Sequence, residues 1–195
     1  MDRVVDWTLG LSVLGWAVTA VVRGHGSSPV GITIIVINVV VGWLFLRRRS
    51  AARLASPVEC AICLGSVASS AIGISLAPAP VDWPLGAALL FTVAGAGAVV
   101  SLLTLGGSFG VLPALRRLVR RGPYGRVRHP IYLAELIMVL ACALAGWRPL
   151  SVVAVVLAVL LVVVRIRIEE RLLAALPGYA SYGHRVRWRL LPGLW

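Results

Sequence analysis

Residues 85–105 read LGAALLFTVAGAGAVVSLLTL, twenty-one positions without a charged side chain. As a helix, at about 1.5 Å per residue, such a stretch covers roughly 30 Å, the thickness of a bilayer's hydrocarbon core. Gly86, Ala87, Ala88 and the run from Ala94 to Ala98 supply small side chains within it. Small residues let helix backbones approach closely, which is how bundles pack in lipid.

Outward from this stretch the same pattern recurs. Apolar runs cover Val4–Val22, Pro29–Leu46, Val58–Ala77, Ile131–Ala145 and Leu150–Ile168. They are separated by Arg23-Gly24-His25-Gly26, by the Arg47–Arg53 cluster, by the Pro78–Pro84 turn with Trp83, and by Gly146-Trp147-Arg148-Pro149. Pro29 and Pro130 suit the first turn of a helix, where a missing N–H costs nothing. The stretch after Arg3 lacks a strongly charged leader and a small-residue cleavage site, so it reads as a retained helix. Of the 195 residues 59% are hydrophobic and 13% are charged, with mean hydropathy +0.94. That charge fraction is about half that of an ordinary soluble domain. The expectation is an all-α, polytopic transmembrane bundle of about six spans. Residues 1–105 form a four-span region, and 106–195 form a second region with two spans and an interfacial tail.

The net charge is +12, and every basic residue apart from the three His is Arg. A basic chain raises the question of nucleic acid, but here the Arg residues cluster between apolar runs, where they orient spans. Seventeen of the nineteen fall on one expected side; Arg23 and Arg148 fall on the other. Cytoplasmic N- and C-termini follow, in a multi-pass protein of the bacterial inner-membrane type. Cys60 and Cys63 form a CxxC inside an apolar run with no second pair or nearby His, so packing and not metal binding is expected of them, as of Cys142.

Polar residues at the membrane boundary are expensive, so their clustering is informative. The segment Gly122-Pro123-Tyr124-Gly125-Arg126-Val127-Arg128-His129-Pro130-Ile131-Tyr132 places His129 at a helix mouth. Free N–H groups and the positive helix end there make a natural anion site; a plain cap beside an interfacial Arg is the competing reading. Glu169 and Glu170 follow the last span, and as helical neighbours they point about 100° apart. One can face a ligand while the other holds an Arg. Salt bridges from Arg165 to Glu169 and from Arg167 to Glu170 are the alternative, by their four- and three-residue spacing. Both clusters fall on the same expected face and flank a short helical hairpin. Such a pocket suits a ligand with a cationic group, hydroxyls and a carboxylate. S-adenosylmethionine has all three, and a nucleotide fits as well.

The string Gly122-Pro123-Tyr124 … Arg128-His129-Pro130-Ile131-Tyr132, then Glu169-Glu170 and Tyr179 … Tyr182, resembles the isoprenylcysteine carboxyl methyltransferase family. The related phospholipid N-methyltransferases share the Arg-His-Pro and Glu-Glu pattern. Gly106-Gly107-Ser108-Phe109-Gly110 resembles the glycine-bearing stretch upstream of it. The resemblance covers about Gly106 to Pro192, and the first four spans carry no such motif. It implies a cytoplasmic pocket for S-adenosylmethionine, lined by Tyr124, Arg128, His129, Pro130 and Tyr132 on one side and by Glu169 and Glu170 on the other.

The leading expectation is methyl transfer from S-adenosylmethionine to a lipid-associated acceptor, a lipophilic or lipidated substrate drawn from the membrane. A carboxylate acceptor of isoprenylcysteine type needs alignment and dryness more than acid–base chemistry, with Arg128 to hold it. An amine or phospholipid acceptor needs a base, for which Glu135, about one turn into the fifth span, is the candidate; a structural pair with an Arg is its other reading. Membrane sterol reductases carry related C-terminal patterns, which keeps a nicotinamide-linked reductase open. A small transporter or scaffold would more often carry its polar residues at mid-membrane. Tyr179, Tyr182, Trp188 and Trp195 are expected along the interface, and His25 and His184 away from the chemistry.

Overall fold

The computed structural model describes residues 3–48 and 53–195. Arg49, part of the Arg47–Arg53 cluster, lies outside the described residues. The chain folds as α1 (Arg3–Val22), α2 (Pro29–Arg47), α3 (Pro57–Ser75), α4 (Leu85–Leu105), α5 (Pro130–Ala145), α6 (Pro149–Leu173) and α7 (Tyr179–Arg185). A two-residue antiparallel pairing joins β1 (Arg53–Leu54) to β2 (Ala114–Leu115).

Local chemistry fixes several helix starts. The Ser28 hydroxyl accepts from the Gly31 N–H at 3.1 Å, one residue before Pro29 opens α2. Ser56 and Glu59 form a reciprocal capping box at the head of α3, again with proline in the first turn. Among the described residues five helices are long and apolar enough to cross a membrane: α1, α2, α3, α4 with its short extension, and α6. The outward faces carry large apolar side chains such as Val4, Trp16, Val93 and Leu160. A protein facing water would hide such a belt; this is an integral membrane helix bundle.

The sixth apolar helix, α5, has 16 residues. At about 24 Å it falls short of the roughly 30 Å that a full crossing needs. Pro130 causes the shortening, because the residue before a proline is pushed out of helical conformation. His129 accordingly has φ −129° and ψ 61°. The far end of α5 is in register with the bundle, since Gly146 lies against Pro78 of the α3–α4 turn. The missing turns are therefore all at the near end.

That near end collects the Arg-rich segments. Asp6 of α1 pairs with Arg48 after α2, and β1 pairs with β2. Arg171 of α6 meets Glu59 of α3, and Arg120 donates to the Gly178 carbonyl at 3.1 Å. The Arg23–Ser28 turn, the Pro78–Pro84 turn and the Gly146–Arg148 turn connect the helices at the opposite end.

Packing runs across residue 105. One core cluster joins Val30 of α2, Phe91, Ala94 and Ala98 of α4, and Ala134, Met138, Ala141 and Cys142 of α5. Gly95 lets α4 approach α2, because a Cβ there would run into the Thr33 side chain, whereas at Gly97 it would meet open space. Gly95→Leu is expected to destabilise the protein by about 1–3 kcal/mol through overpacking. Gly97→Leu should leave thermal unfolding in detergent nearly unchanged. Equal effects at the two positions would show that the α2–α4 approach is not tight.

Candidate active site

Because α5 starts late, the loop from Gly106 to His129 roofs a hollow between α4, α5 and the end of α6. The resulting cavity has a volume of about 160 Å³. Leu105, Phe109, Val111, Leu112, Ile131 and Leu173 give it apolar walls. Its charged lining is Arg116, Arg117, Arg128, Arg165 and Glu169; Tyr124, His129, Tyr132, Tyr179 and Tyr182 complete it.

The loop is shaped by two glycines. Gly106 ends α4 with φ +53°, and Gly122 opens the Gly122–Gly125 turn with φ +58°, conformations that side chains disfavour. The turn buries Tyr124, whose carbonyl accepts a 2.8 Å hydrogen bond from the Tyr182 hydroxyl. Burial, aided by the Glu169 charge, pushes the Tyr124 phenol well above its usual range. Burial likewise raises Tyr182 to about 12. Both are therefore neutral donors at physiological pH.

The C-terminal tail holds the Arg-His-Pro segment. The Arg128 and His129 N–H groups donate to the Trp188 and Arg189 carbonyls, each at 2.9 Å. Arg128 Nη2 donates to the Arg187 carbonyl at 3.0 Å. The tail is thus a strap over the helix mouth. Tyr179 and Tyr182, expected along the interface, are instead buried against the cavity. His184 is exposed.

The adjacent carboxylates part company. Glu170 faces away from the cavity into a cationic clamp: Arg128 Nη1 at 2.8 Å, Arg189 Nε at 2.8 Å and His129 Nε2 at 3.3 Å. Glu169 faces the cavity and accepts the Tyr132 hydroxyl, with His129 Nδ1 at 3.8 Å. The His129 ring stacks on Tyr132, centroids 5.6 Å apart and planes 16° from parallel. The motif residues expected to share one pocket are therefore brought together. Arg128, however, is already neutralised by Glu170, and Pro130 and Glu170 sit behind the lining.

Two expected ion pairs do not form as spaced. Arg165 does not bridge Glu169; its guanidinium lies 4.7 Å from the centroid of the Tyr132 ring, and its Nη1 is 4.0 Å from Glu135 Oε2. Partners from elsewhere in the chain engage both side chains instead: the Tyr132 ring, Glu135 and the Val111 carbonyl for Arg165, and the Tyr132 hydroxyl for Glu169. Arg167 does not hold Glu170, because Arg128 and Arg189 reach it first. Glu135, the candidate base, lies outside the cavity lining; its Oε1 accepts the Ser70 hydroxyl at 2.6 Å and its Oε2 lies 4.0 Å from Arg165 Nη1. The sequence reading missed Arg165 as a lining residue; its one signal was a cation inside an otherwise apolar run.

Chemically the site offers three things. α5 has no side-chain cap, so the first-turn N–H groups of Ile131 and Tyr132 have no partner within the helix and present a positive end. Glu169 offers an acceptor for hydroxyls or an ammonium group. The apolar walls offer room for a flat ring. Those groups match the carboxylate, the amine and ribose, and the adenine of S-adenosylmethionine.

Residues 85–179, just under half of the chain, match the family model described as phospholipid methyltransferase. The matched stretch runs from the first residue of α4 to Tyr179 and so includes the cavity roof, α5, the carboxylate pair and the start of α7. None of the curated proteins matches the chain. The match is to a methyltransferase family and supports that reading over the others.

Proposed function

We propose, from the match of residues 85–179 to the phospholipid methyltransferase model, that this chain transfers a methyl group from S-adenosylmethionine to a lipophilic acceptor, with the cavity beneath the Arg-His-Pro helix start as its active site. The observation that carries this is the meeting of Glu169 and Tyr132 with the uncapped start of α5 inside one cavity. When bound, S-adenosylmethionine supplies a methyl carbon already activated by its sulfonium. The protein's part is to hold, orient and keep dry. Glu169 would take the hydroxyls or the ammonium group, and the α5 start, backed by Arg128, would take the carboxylate. The Glu170 clamp keeps Arg128 and His129 in place, and the buried Tyr124 and Tyr182 close the wall behind them.

A carboxylate acceptor of isoprenylcysteine type is the favoured substrate. Glu135, the candidate base, lies outside the cavity lining, and a carboxylate needs no base. An amine-bearing phospholipid is the second reading, favoured by the family's description. With the inner leaflet at the Arg-rich end, the pocket would open to the cytoplasm.

Purified protein should bind S-adenosylhomocysteine, measured by calorimetry and as a raised melting temperature. Absence of both in a folded preparation would refute the methyltransferase reading. Product chemistry separates the acceptors: a methyl ester releases methanol in base, and an N-methyl group does not.

A further inference from the structure

Arg165 is the charged side chain in the cavity lining whose surroundings fall furthest short of its needs. It is 6% exposed. Its nearest counter-charge is Glu135 at 4.0 Å, a carboxylate shared with the Ser70 hydroxyl. Its Nη2 donates to the Val111 carbonyl at 3.0 Å, while its buried Nε has no hydrogen-bond partner among the described residues. A cation so buried is retained at a cost of several kcal/mol unless a well-placed anion answers it. Arg128 shares the unpartnered Nε but differs in its counter-charge, with a direct 2.8 Å ion pair and a carbonyl on its remaining Nη.

Position separates Arg165 from the rest of the lining. It lies one helical turn, about 6 Å, before Glu169 on a helix that runs toward the Arg-rich end. It is thus deeper in the bundle than the carboxylate and tyrosines near the surface. Besides Glu135, its neighbours there are the Tyr132 ring and the Val111 carbonyl. Arg165 thus lies on the membrane side of Glu169 along α6, the side from which a lipid acceptor would come.

We propose that Arg165 anchors an oxyanion carried by the lipid acceptor, a carboxylate or a phosphate, at the membrane-side floor of the cavity. The inference rests on the methyltransferase reading and adds the acceptor's charge to it. The guanidinium fork suits both oxyanions. A carboxylate held there is the methyl acceptor itself, and a phosphate held there places a neighbouring amine.

The test uses the full chain in a neutral maltoside detergent. Affinities are measured for N-acetyl-S-farnesylcysteine and dodecyl phosphate, each against its uncharged twin, N-acetyl-S-farnesylcysteine methyl ester and dodecanol. At least one oxyanion is expected to bind about tenfold or more tightly than its twin. Arg165→Gln should erase that preference, Arg165→Lys should retain part of it, and S-adenosylhomocysteine affinity should stay within about threefold in both, at most ~0.7 kcal/mol. A preference for the farnesylcysteine assigns a carboxylate acceptor, and one for dodecyl phosphate a phosphate-bearing lipid. If Arg165→Gln fails to fold, the Lys variant and the wild-type comparison decide. No preference for either oxyanion on the wild type overturns the proposal. So does a preference that survives Arg165→Gln, or a loss of S-adenosylhomocysteine in its place. If the wild type ignores S-adenosylhomocysteine yet shows an oxyanion preference dependent on Arg165, the anchor stands and the methyltransferase reading falls.

Discussion

Glu169→Gln is expected to weaken S-adenosylhomocysteine binding by about two orders of magnitude while leaving the fold intact. Among the described residues Glu169 is the one carboxylate in the cavity lining. Its Oε1 accepts from the Tyr132 hydroxyl, a bond the Gln carbonyl can still accept, so the wall keeps its shape. What disappears is the negative charge facing the ligand's ammonium group and hydroxyls. Removing one partner of a buried, hydrogen-bonded charge contact costs about 2–5 kcal/mol, and each 1.4 kcal/mol is about tenfold in affinity. Calorimetry on the variant, with its melting temperature as the check on folding, reads the effect. Unchanged affinity would place the ligand elsewhere.

Glu170→Ala should act differently, on stability first and on binding through it. Glu170 answers Arg128 and Arg189 at 2.8 Å each and His129 at 3.3 Å, and its own side chain is 12% exposed. Removal leaves two guanidinium groups facing each other without a counter-charge. Breaking a buried pair costs about 3–5 kcal/mol. Arg189 is a third exposed, so the lower end, about 3 kcal/mol, is expected. The variant should melt earlier and lose its grip on S-adenosylhomocysteine, because the clamp fixes the start of α5. Arg189→Ala in the Glu170→Ala background should add little further loss, since the pair is already broken. Additive losses would mean that the two side chains act independently.

Much of the bundle was legible because lipid imposes simple rules. The charge-free run of α4 begins and ends where the helix does, Leu85 and Leu105. Counting Arg residues sorted the loops into two groups, and the near-end contacts Asp6–Arg48, β1–β2 and Arg171–Glu59 gather the Arg-rich group together. The shortness of α5 was written in Pro130, yet its consequence, a recessed helix start beneath a roof, depends on the length of its neighbours.

The site was legible in its members and not in its wiring. The 100° separation of Glu169 and Glu170 already demanded different partners, but the partners come from far along the chain. Arg189 reaches Glu170 because the tail folds back and pairs its carbonyls with Arg128 and His129. No local pattern announces such a strap. Aromatic residues in a polar tail read as interfacial anchors by composition, whereas Tyr182 spends its hydroxyl on the Tyr124 carbonyl. Spacing along α6 pairs Arg165 with Glu169, whereas its actual partners, Tyr132, Glu135 and the Val111 carbonyl, come from other segments that spacing along one helix cannot see.

The most direct measurement is a structure of the full chain with S-adenosylhomocysteine. The ligand is expected beneath the Gly106–His129 loop, with its carboxylate at the Ile131 and Tyr132 N–H groups and its amine or ribose on Glu169. Density for the ligand outside that cavity, or contact with only one of those two groups, would contradict the assignment of a single cofactor site to the helix start and Glu169.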